Sequence, residues 1–172
     1  MSLNSERKCR FGARGFTLAE IMVSLAVFSL VVAGAAPVYI MCSRTWYKST
    51  LSTRAASETS MALEKLVYGM GLQYGLRSAV ATSVVVTATG SDWVVRYVNS
   101  EGGTNRFSYD ASGTVLRYLG SAAAAWTLVG SNITACVVSN TSVGMSLTVT
   151  TGITEGRYSV TNTMYTYISY RN

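Results

Sequence analysis

Residues 16–42 read FTLAEIMVSLAVFSLVVAGAAPVYIMC, and this stretch decides the fold of the chain. Its 27 residues contain one charged side chain, Glu20. The 22 residues from Ile21 to Cys42 contain none, and as a helix they rise about 33 Å, which matches the hydrocarbon core of a bilayer. A buried helix of a soluble protein is rarely apolar on every side. The stretch therefore predicts a membrane-inserting helix.

A basic segment comes before the apolar stretch. Residues 1–15 contain one acid, Glu6, and four bases, Arg7, Lys8, Arg10 and Arg14. These residues supply half of the formal net charge of +6 that the 172-residue chain carries. Because basic flanks stay on the cytoplasmic side of a membrane, the segment predicts a cytoplasmic N-terminus.

An apolar stretch with a basic flank before it can be processed in three ways. It can remain as a plain signal anchor, or it can be trimmed before the apolar run and kept. It can also be a secretory signal peptide cut near Ala35, because Ala33, Gly34 and Ala35 form an A-x-A site. A lipoprotein is disfavoured, because Met41 stands before Cys42 where a small residue is needed.

The heptapeptide RGFTLAE at residues 14–20, joined to a charge-free helix, resembles the type IV prepilin-like family. This family includes type IV pilins and the pseudopilins of type II secretion, and the resemblance is close over residues 7–42. It implies that a prepilin peptidase cuts between Gly15 and Phe16 and then methylates the new amine, which makes Phe16 an N-methylphenylalanine. Gly15 has no side chain, so its backbone can lie close against a protease.

Two further residues of the helix gain a role from the resemblance. A carboxylate inside a membrane is costly and is usually functional, although Glu20 at a helix N-terminus is also favoured by the helix dipole. In the family, the matching Glu pairs with the terminal amine of a neighbouring subunit and fixes the register of stacked helices. Pro37 removes a helical hydrogen bond, and the resemblance implies a helix break there, while a simple kink remains open.

The part after residue 42 predicts a helix followed by a sheet. Leu63, Leu66, Val67, Met70 and Tyr74 fall on one helical face, so residues 43–77 are predicted as an amphipathic helix that packs on a sheet. The composition then turns to Val, Thr, Ser, Tyr and Gly. Strands are predicted at 83–89, 92–99, 105–109, 115–119, 126–129, 133–139, 145–150 and 157–170, the last one split or bulged.

The expected fold class is α+β and pilin-like, a long N-terminal transmembrane helix packed on an antiparallel sheet. The expected parts are a cleaved basic leader at 1–15, a transmembrane or filament-core helix at 16–42, an amphipathic helix at 43–77 and a β-rich head at 78–172. The eight strands should follow one another as a meander, with turns such as that at Thr151 and Gly152.

The sequence offers few residues for catalysis. It has no histidine, which removes His-based triads and His zinc sites. The head acids Asp92, Glu101, Asp110 and Glu155 share no local motif for paired carboxylates or a calcium loop. Cys136 is expected to be a small buried hydrophobe. We therefore predict no enzyme, no catalytic residue, no metal and no cofactor.

The preferred function is a minor pilin or a pseudopilin, a structural subunit of a type IV pilus or a type II secretion filament. The resemblance implies other pilin-like subunits, the prepilin peptidase, an inner-membrane assembly platform and its ATPase as partners. It implies a single-pass protein of the bacterial inner membrane, with a cytoplasmic N-terminus and a periplasmic head, that later enters a periplasmic or surface filament.

Two alternatives remain open. The first is an exported β-rich binding protein cut near Ala35, and the second is a minor pilin whose head binds DNA or a surface. The residues after position 15 hold 10 bases and 7 acids, a net charge of +3 that neither supports nor excludes DNA binding. The later bases are widely spaced along the sequence, which is typical of solvated surface charges: Arg77, Arg96, Arg106, Arg117, Arg157 and Arg171.

Overall fold

The computed structural model of the chain describes residues 16–70 and 74–170. The leader residues at 1–15, with Gly15 and the four predicted leader bases, lie outside the described residues. The structure has one long helix followed by antiparallel sheets, as the sequence predicted. The chain divides into two compact units, residues 1–45 and residues 46–172.

Helix α1 (Leu18–Tyr68) begins in the first unit and ends in the second. In the first unit, each residue from Phe16 to Thr45 is exposed, including the large apolar side chains of the predicted membrane segment. This helix is long and apolar enough to cross a membrane, judged by its length and composition. Pro37 lies inside it, and the helix continues on both sides of the proline.

In the second unit, α1 buries one face. Its buried residues follow one another at intervals of three or four positions up to Leu66, with Val67 adjacent, so they form a single stripe: Leu51, Ala55, Thr59, Ala62, Leu66 and Val67. Leu63 is partly buried against the core that contains Leu66 and Val67, which confirms three members of the predicted helical face, whereas Met70 packs on this core from beyond the helix end.

The helix ends at Tyr68 and not near residue 77 as predicted. Gly69 has a φ of 91°, a left-handed conformation that closes helices at glycine, and its amide donates to Lys65 O over 2.9 Å. Gly75 then lies against the helix end, where an added Cβ would stand 2.3 Å from Val67 O. Two short 3₁₀ helices, Leu76–Ser78 and Ala81–Ser83, then precede the first strand.

Eight strands follow, in two antiparallel sheets. The first sheet has five strands in sequence order: β1 (Val85–Thr89), β2 (Asp92–Val98), β3 (Thr104–Asp110), β4 (Val115–Leu119) and β5 (Thr127–Gly130). The second has three: β6 (Ile133–Asn140), β7 (Gly144–Glu155) and β8 (Tyr158–Ser169). All eight strands were predicted near these positions, but the expected single meander is broken between β5 and β6.

The last hairpin differs from its prediction. β7 and β8 pair without interruption from Gly144 opposite Ser169 to Glu155 opposite Tyr158, so β8 is neither split nor bulged. The turn expected at Gly152 is absent, because this glycine continues the strand. The chain reverses at Gly156, whose φ of 59° suits a tight hairpin turn.

Aromatic side chains join the two sheets in one core. The Trp93 indole Nε1 donates to Cys136 O over 2.7 Å, and the Tyr109 hydroxyl donates to Ile133 O over 3.1 Å. Both acceptors belong to β6, the strand of the second sheet that pairs only with β7. The aromatic residues of β2 and β3 thus satisfy carbonyl groups on an otherwise unpaired strand edge.

Candidate functional site

The candidate site is the start of α1, where the predicted cleavage and register residues stand. Phe16 is 80% exposed and precedes the first helical residue, Leu18. Gly15 lies outside the described residues, so the geometry of the predicted cleavage bond itself is not described. Glu20 is exposed in the first turn of the helix.

Thr17 and Glu20 cap the helix reciprocally. The Glu20 amide donates to Thr17 Oγ1 over 3.3 Å, while Glu20 Oε2 accepts the Thr17 amide over 2.9 Å and the Thr17 hydroxyl over 3.0 Å. This arrangement is a capping box, which satisfies backbone donors that a helix start leaves unpaired. It fixes the Glu20 carboxylate at the helix start.

One oxygen of the Glu20 carboxylate, Oε1, can still accept hydrogen bonds. Both Thr17 groups donate to Oε2, and no residue at 16–70 or 74–170 donates to Oε1. A carboxylate has about four lone-pair sites, so it can hold its helix cap and bind a cation at the same time. The Glu20 carboxylate can therefore pair with an amine while it still caps the helix.

The sequence interpretation missed the role of Thr17. The signal was present, because T-L-A-E at residues 17–20 has the S/T-x-x-E spacing of a capping box directly before an apolar run. The sequence interpretation related Glu20 to the helix dipole and to a neighbouring subunit, and it considered no side chain of the same chain as its partner.

The outer surface of α1 in the first unit offers small residues for close helix packing. Gly34 has no atom within 4 Å of the place where a Cβ would stand. The Ser29 hydroxyl donates to Ala26 O over 2.8 Å, so its polar group is satisfied within the helix. Exposed small residues of this kind allow helices of neighbouring chains to approach each other.

Two acids of the head hold turns of the fold in place. Asp92 Oδ1 accepts the Ala111 amide over 2.8 Å, and Asp110 Oδ1 accepts the Gly113 amide over 2.9 Å. The hydrogen bonds from the Gly113 amide and the Ser112 hydroxyl lower the pKa of Asp110 below its usual value, and the positive charge of Arg117 lowers it further. Across residues 16–70 and 74–170, no three or more Cys, Asp, Glu or His side chains gather as a metal site requires.

Cys136 is 4% exposed, as expected for a small buried hydrophobe. Desolvation by burial raises the pKa of its thiol to about 12, so this cysteine is a poor nucleophile at neutral pH. Cys42 is exposed, and both Cys42 and Cys136 are free thiols.

The comparison with protein families places a known motif on this site. Residues 10–36 match the family model described as the prokaryotic N-terminal methylation motif. The match contains Gly15, Phe16, Thr17 and Glu20, and it supports single-pass membrane anchoring. Comparison of the chain with curated proteins and with solved structures finds no match. The chain therefore carries the prokaryotic N-terminal methylation motif, which is the hallmark of type IV prepilin-like proteins.

Proposed function

We propose that the chain is a structural subunit of a helical filament, either a minor type IV pilin or a pseudopilin of type II secretion. The observation that carries this proposal is the methylation motif at residues 10–36, joined to a helix that is apolar and long enough to span a membrane. The motif indicates a structural subunit, and we propose no catalytic residue and no cofactor.

The proposed processing begins in the membrane. A prepilin peptidase cuts between Gly15 and Phe16 and methylates the amine of Phe16. Arg7, Lys8, Arg10 and Arg14 hold the leader on the cytoplasmic side, which leaves the head on the periplasmic side. The geometry supports this reading in one respect, since Phe16 lies before the first helical turn and is exposed.

The proposed assembly uses Glu20 and Pro37. The cationic amine of one processed subunit pairs with the Glu20 carboxylate of a neighbour, at low dielectric where such a pair is strong. Glu20 Oε1 is the atom that the capping box leaves for this amine. Pro37 marks the point where we expect the helix to unwind in the filament, since its missing amide weakens the helix there.

The proposed partners are other pilin-like subunits, the prepilin peptidase, an inner-membrane assembly platform and its ATPase. The subunit begins as a single-pass protein of the inner membrane and ends in a periplasmic or surface filament. The ATPase supplies the work of assembly, while this chain supplies helix packing and register.

The N-terminus of the mature protein tests this proposal. Mass spectrometry of the membrane fraction and of sheared surface material should find a chain that begins with N-methyl-Phe16. Gly15→Ala should leave the precursor, heavier by the 15-residue leader, and Gly34→Ala should be processed normally as a matched control. A terminus at Ala36 would instead show an exported domain, and an intact Met1 would show a plain membrane anchor.

A further inference from the structure

Three arginines that are far apart in sequence lie on one face of the five-stranded sheet. Arg96, Arg106 and Arg117 stand on the adjacent strands β2, β3 and β4. Each is exposed, and the residues on both sides of each along its strand are buried. Because side chains alternate along a strand, all three point to the side away from the core.

The register of the sheet brings these arginines next to each other. Arg96 is directly opposite Arg106. Arg117 is opposite Ser108, two residues along β3 from Arg106, so Arg106 and Arg117 are diagonal neighbours. We call this surface the arginine face. Adjacent strands are about 4.8 Å apart, so the row spans roughly 10 Å across the sheet.

This arrangement is electrostatically unfavourable in the isolated chain. Like charges directly opposite each other on a sheet are destabilising. The salt bridges among residues 16–70 and 74–170 involve Arg54, Glu58 and Glu155, and none involves the arginine face. Two acids share this outward side, Asp92 on β2 and Asp110 on β3. Asp110 attracts Arg117, but its Oδ1 is bound to Ser112 and Gly113, and Asp92 Oδ1 is bound to the Ala111 amide. The opposed pair of Arg96 and Arg106 therefore has no salt bridge among the described residues.

Apolar side chains surround the three guanidinium groups. Val85 is opposite Arg96 and is 55% exposed, and Leu128 is opposite Arg117 and is 56% exposed. Leu119, opposite Arg106, is half-buried. Protein interfaces combine apolar side chains with arginine and contain little lysine, and the outward positions of these five strands contain no lysine.

We propose that the arginine face docks an acidic, partly apolar surface of a second protein. Carboxylates of the partner would neutralise the opposed arginines, and its apolar side chains would cover Val85 and Leu128. Nucleic acid fits the face less well. The aromatic residues of β2, β3 and β4 are buried, so none is available to stack on bases, and three arginines contact only a few phosphates.

The inference concerns the head alone and does not depend on processing at Gly15. It is tested in the full chain, in cells that make the protein naturally, with a photo-reactive benzoylphenylalanine in place of Thr87. Thr87 is exposed on β1 and shares the side of Val85 and Arg96. The same probe in place of Thr161, exposed on β8 of the other sheet, is the control position.

The expected result is one protein adduct at position 87, with Asp or Glu in the cross-linked peptide identified by mass spectrometry. The triple substitution R96Q/R106Q/R117Q should reduce its yield at least tenfold, and Arg157→Gln, in the β7–β8 turn, should not. Arg106→Glu should abolish the adduct, and a Glu→Arg change in the identified peptide should restore it. This reciprocal rescue requires direct charge pairing.

The melting temperature shows whether the triple substitution acts on docking or on the stability of the fold. Because the triple substitution removes repulsion between opposed charges, it should leave the melting temperature of the full chain in detergent unchanged or raise it. The proposal is overturned if position 87 gives no protein adduct, if the adduct contains nucleic acid or lipid, or if the adduct survives the triple substitution. A melting temperature lowered by the triple substitution, or a failed rescue, also overturns it.

Discussion

Arg54 and Glu155 form an ion pair between α1 and the β7–β8 hairpin, although they are 101 residues apart in sequence. Arg54 Nη1 donates to Glu155 Oε1 over 2.9 Å, and the Tyr47 hydroxyl donates to the other carboxylate oxygen over 2.7 Å. The Tyr47 ring also contacts Tyr158, with a centroid distance of 5.4 Å. One carboxylate therefore joins two turns of the helix to the hairpin end.

This ion pair should contribute little to stability, because the Arg54 and Glu155 side chains are 55% and 41% exposed. Exposed ion pairs are screened by solvent and contribute at most about 1 kcal/mol. We expect a double-mutant cycle of Arg54→Gln and Glu155→Gln to give a coupling energy below about 1 kcal/mol. Urea unfolding of the full chain in detergent, followed by tryptophan fluorescence, measures it. A coupling that is twice as large would contradict this expectation.

A buried threonine pair between α1 and β7 should contribute more to stability than this ion pair. The hydroxyls of Thr59 and Thr151 are in contact, and both reach Ala55 O, over 2.7 and 3.0 Å. Both residues are fully buried. Thr151→Val keeps the shape but loses a buried hydrogen bond, so we expect a loss of about 1 kcal/mol in the free energy of unfolding. Thr161→Val, at an exposed position on β8, is the control and should change stability little. Equal effects of the two changes would refute the role of the pair.

Gly75 should tolerate no side chain. Its added Cβ would lie 2.3 Å from Val67 O and 2.4 Å from Gly69 N, and these are backbone atoms that cannot rotate away. We expect Gly75→Ala to lower the free energy of unfolding by about 1–3 kcal/mol, the usual cost of overpacking. Gly90 has a φ of 64° and no atom within 4 Å of an added Cβ. Gly90→Ala therefore measures the cost of backbone strain without crowding. The crowding argument fails if Gly75→Ala unfolds at the same urea concentration as the native sequence.

Stability should fall in alkaline solution, partly because of Cys136. Burial raises the pKa of its thiol from the ordinary value of 9.0 to about 12. Between these two values the unfolded chain has lost the proton and the folded chain keeps it, so stability declines as pH rises through this range. Cys136→Ala should make this decline shallower between pH 9 and 12, and the buried Tyr97, whose pKa is also raised, should leave a residual slope. An identical slope in the variant would exclude the thiol as a cause.

The sequence predicts the elements well, because their signals are local. A charge-free run of 22 residues predicts a membrane-inserting helix, and turn residues separate the eight strands. The helix end was misplaced because an apolar face continues to Tyr74, whereas the helix closes at Gly69 in a left-handed conformation and Gly75 packs closely against that end. Such a close approach leaves no periodic signal in the sequence.

The arginine face shows why spacing in sequence is a poor guide to a surface. Arg96, Arg106 and Arg117 are each about ten residues apart, which indicated isolated surface charges. The length of each hairpin decides whether two residues ten positions apart meet or point to opposite faces, because a register shift of one residue reverses every side chain. The register therefore had to be known before the cluster could be recognised.

The two roles of Glu20, helix cap and register charge, can be separated by one substitution. Glu20→Gln keeps an oxygen that accepts the Thr17 amide, and Glu and Gln both serve at this position of a capping box. It removes the negative charge that a neighbouring amine would need. We expect the Glu20→Gln chain to be cleaved and to remain helical, but to enter filaments poorly. Thr17→Val removes the side-chain part of the cap, keeps the charge, and should assemble nearly normally. The measurement is the fraction of cleaved subunit in sheared filaments. If Glu20→Gln assembles like the native chain and Thr17→Val does not, capping is the function of Glu20 and charge pairing is not.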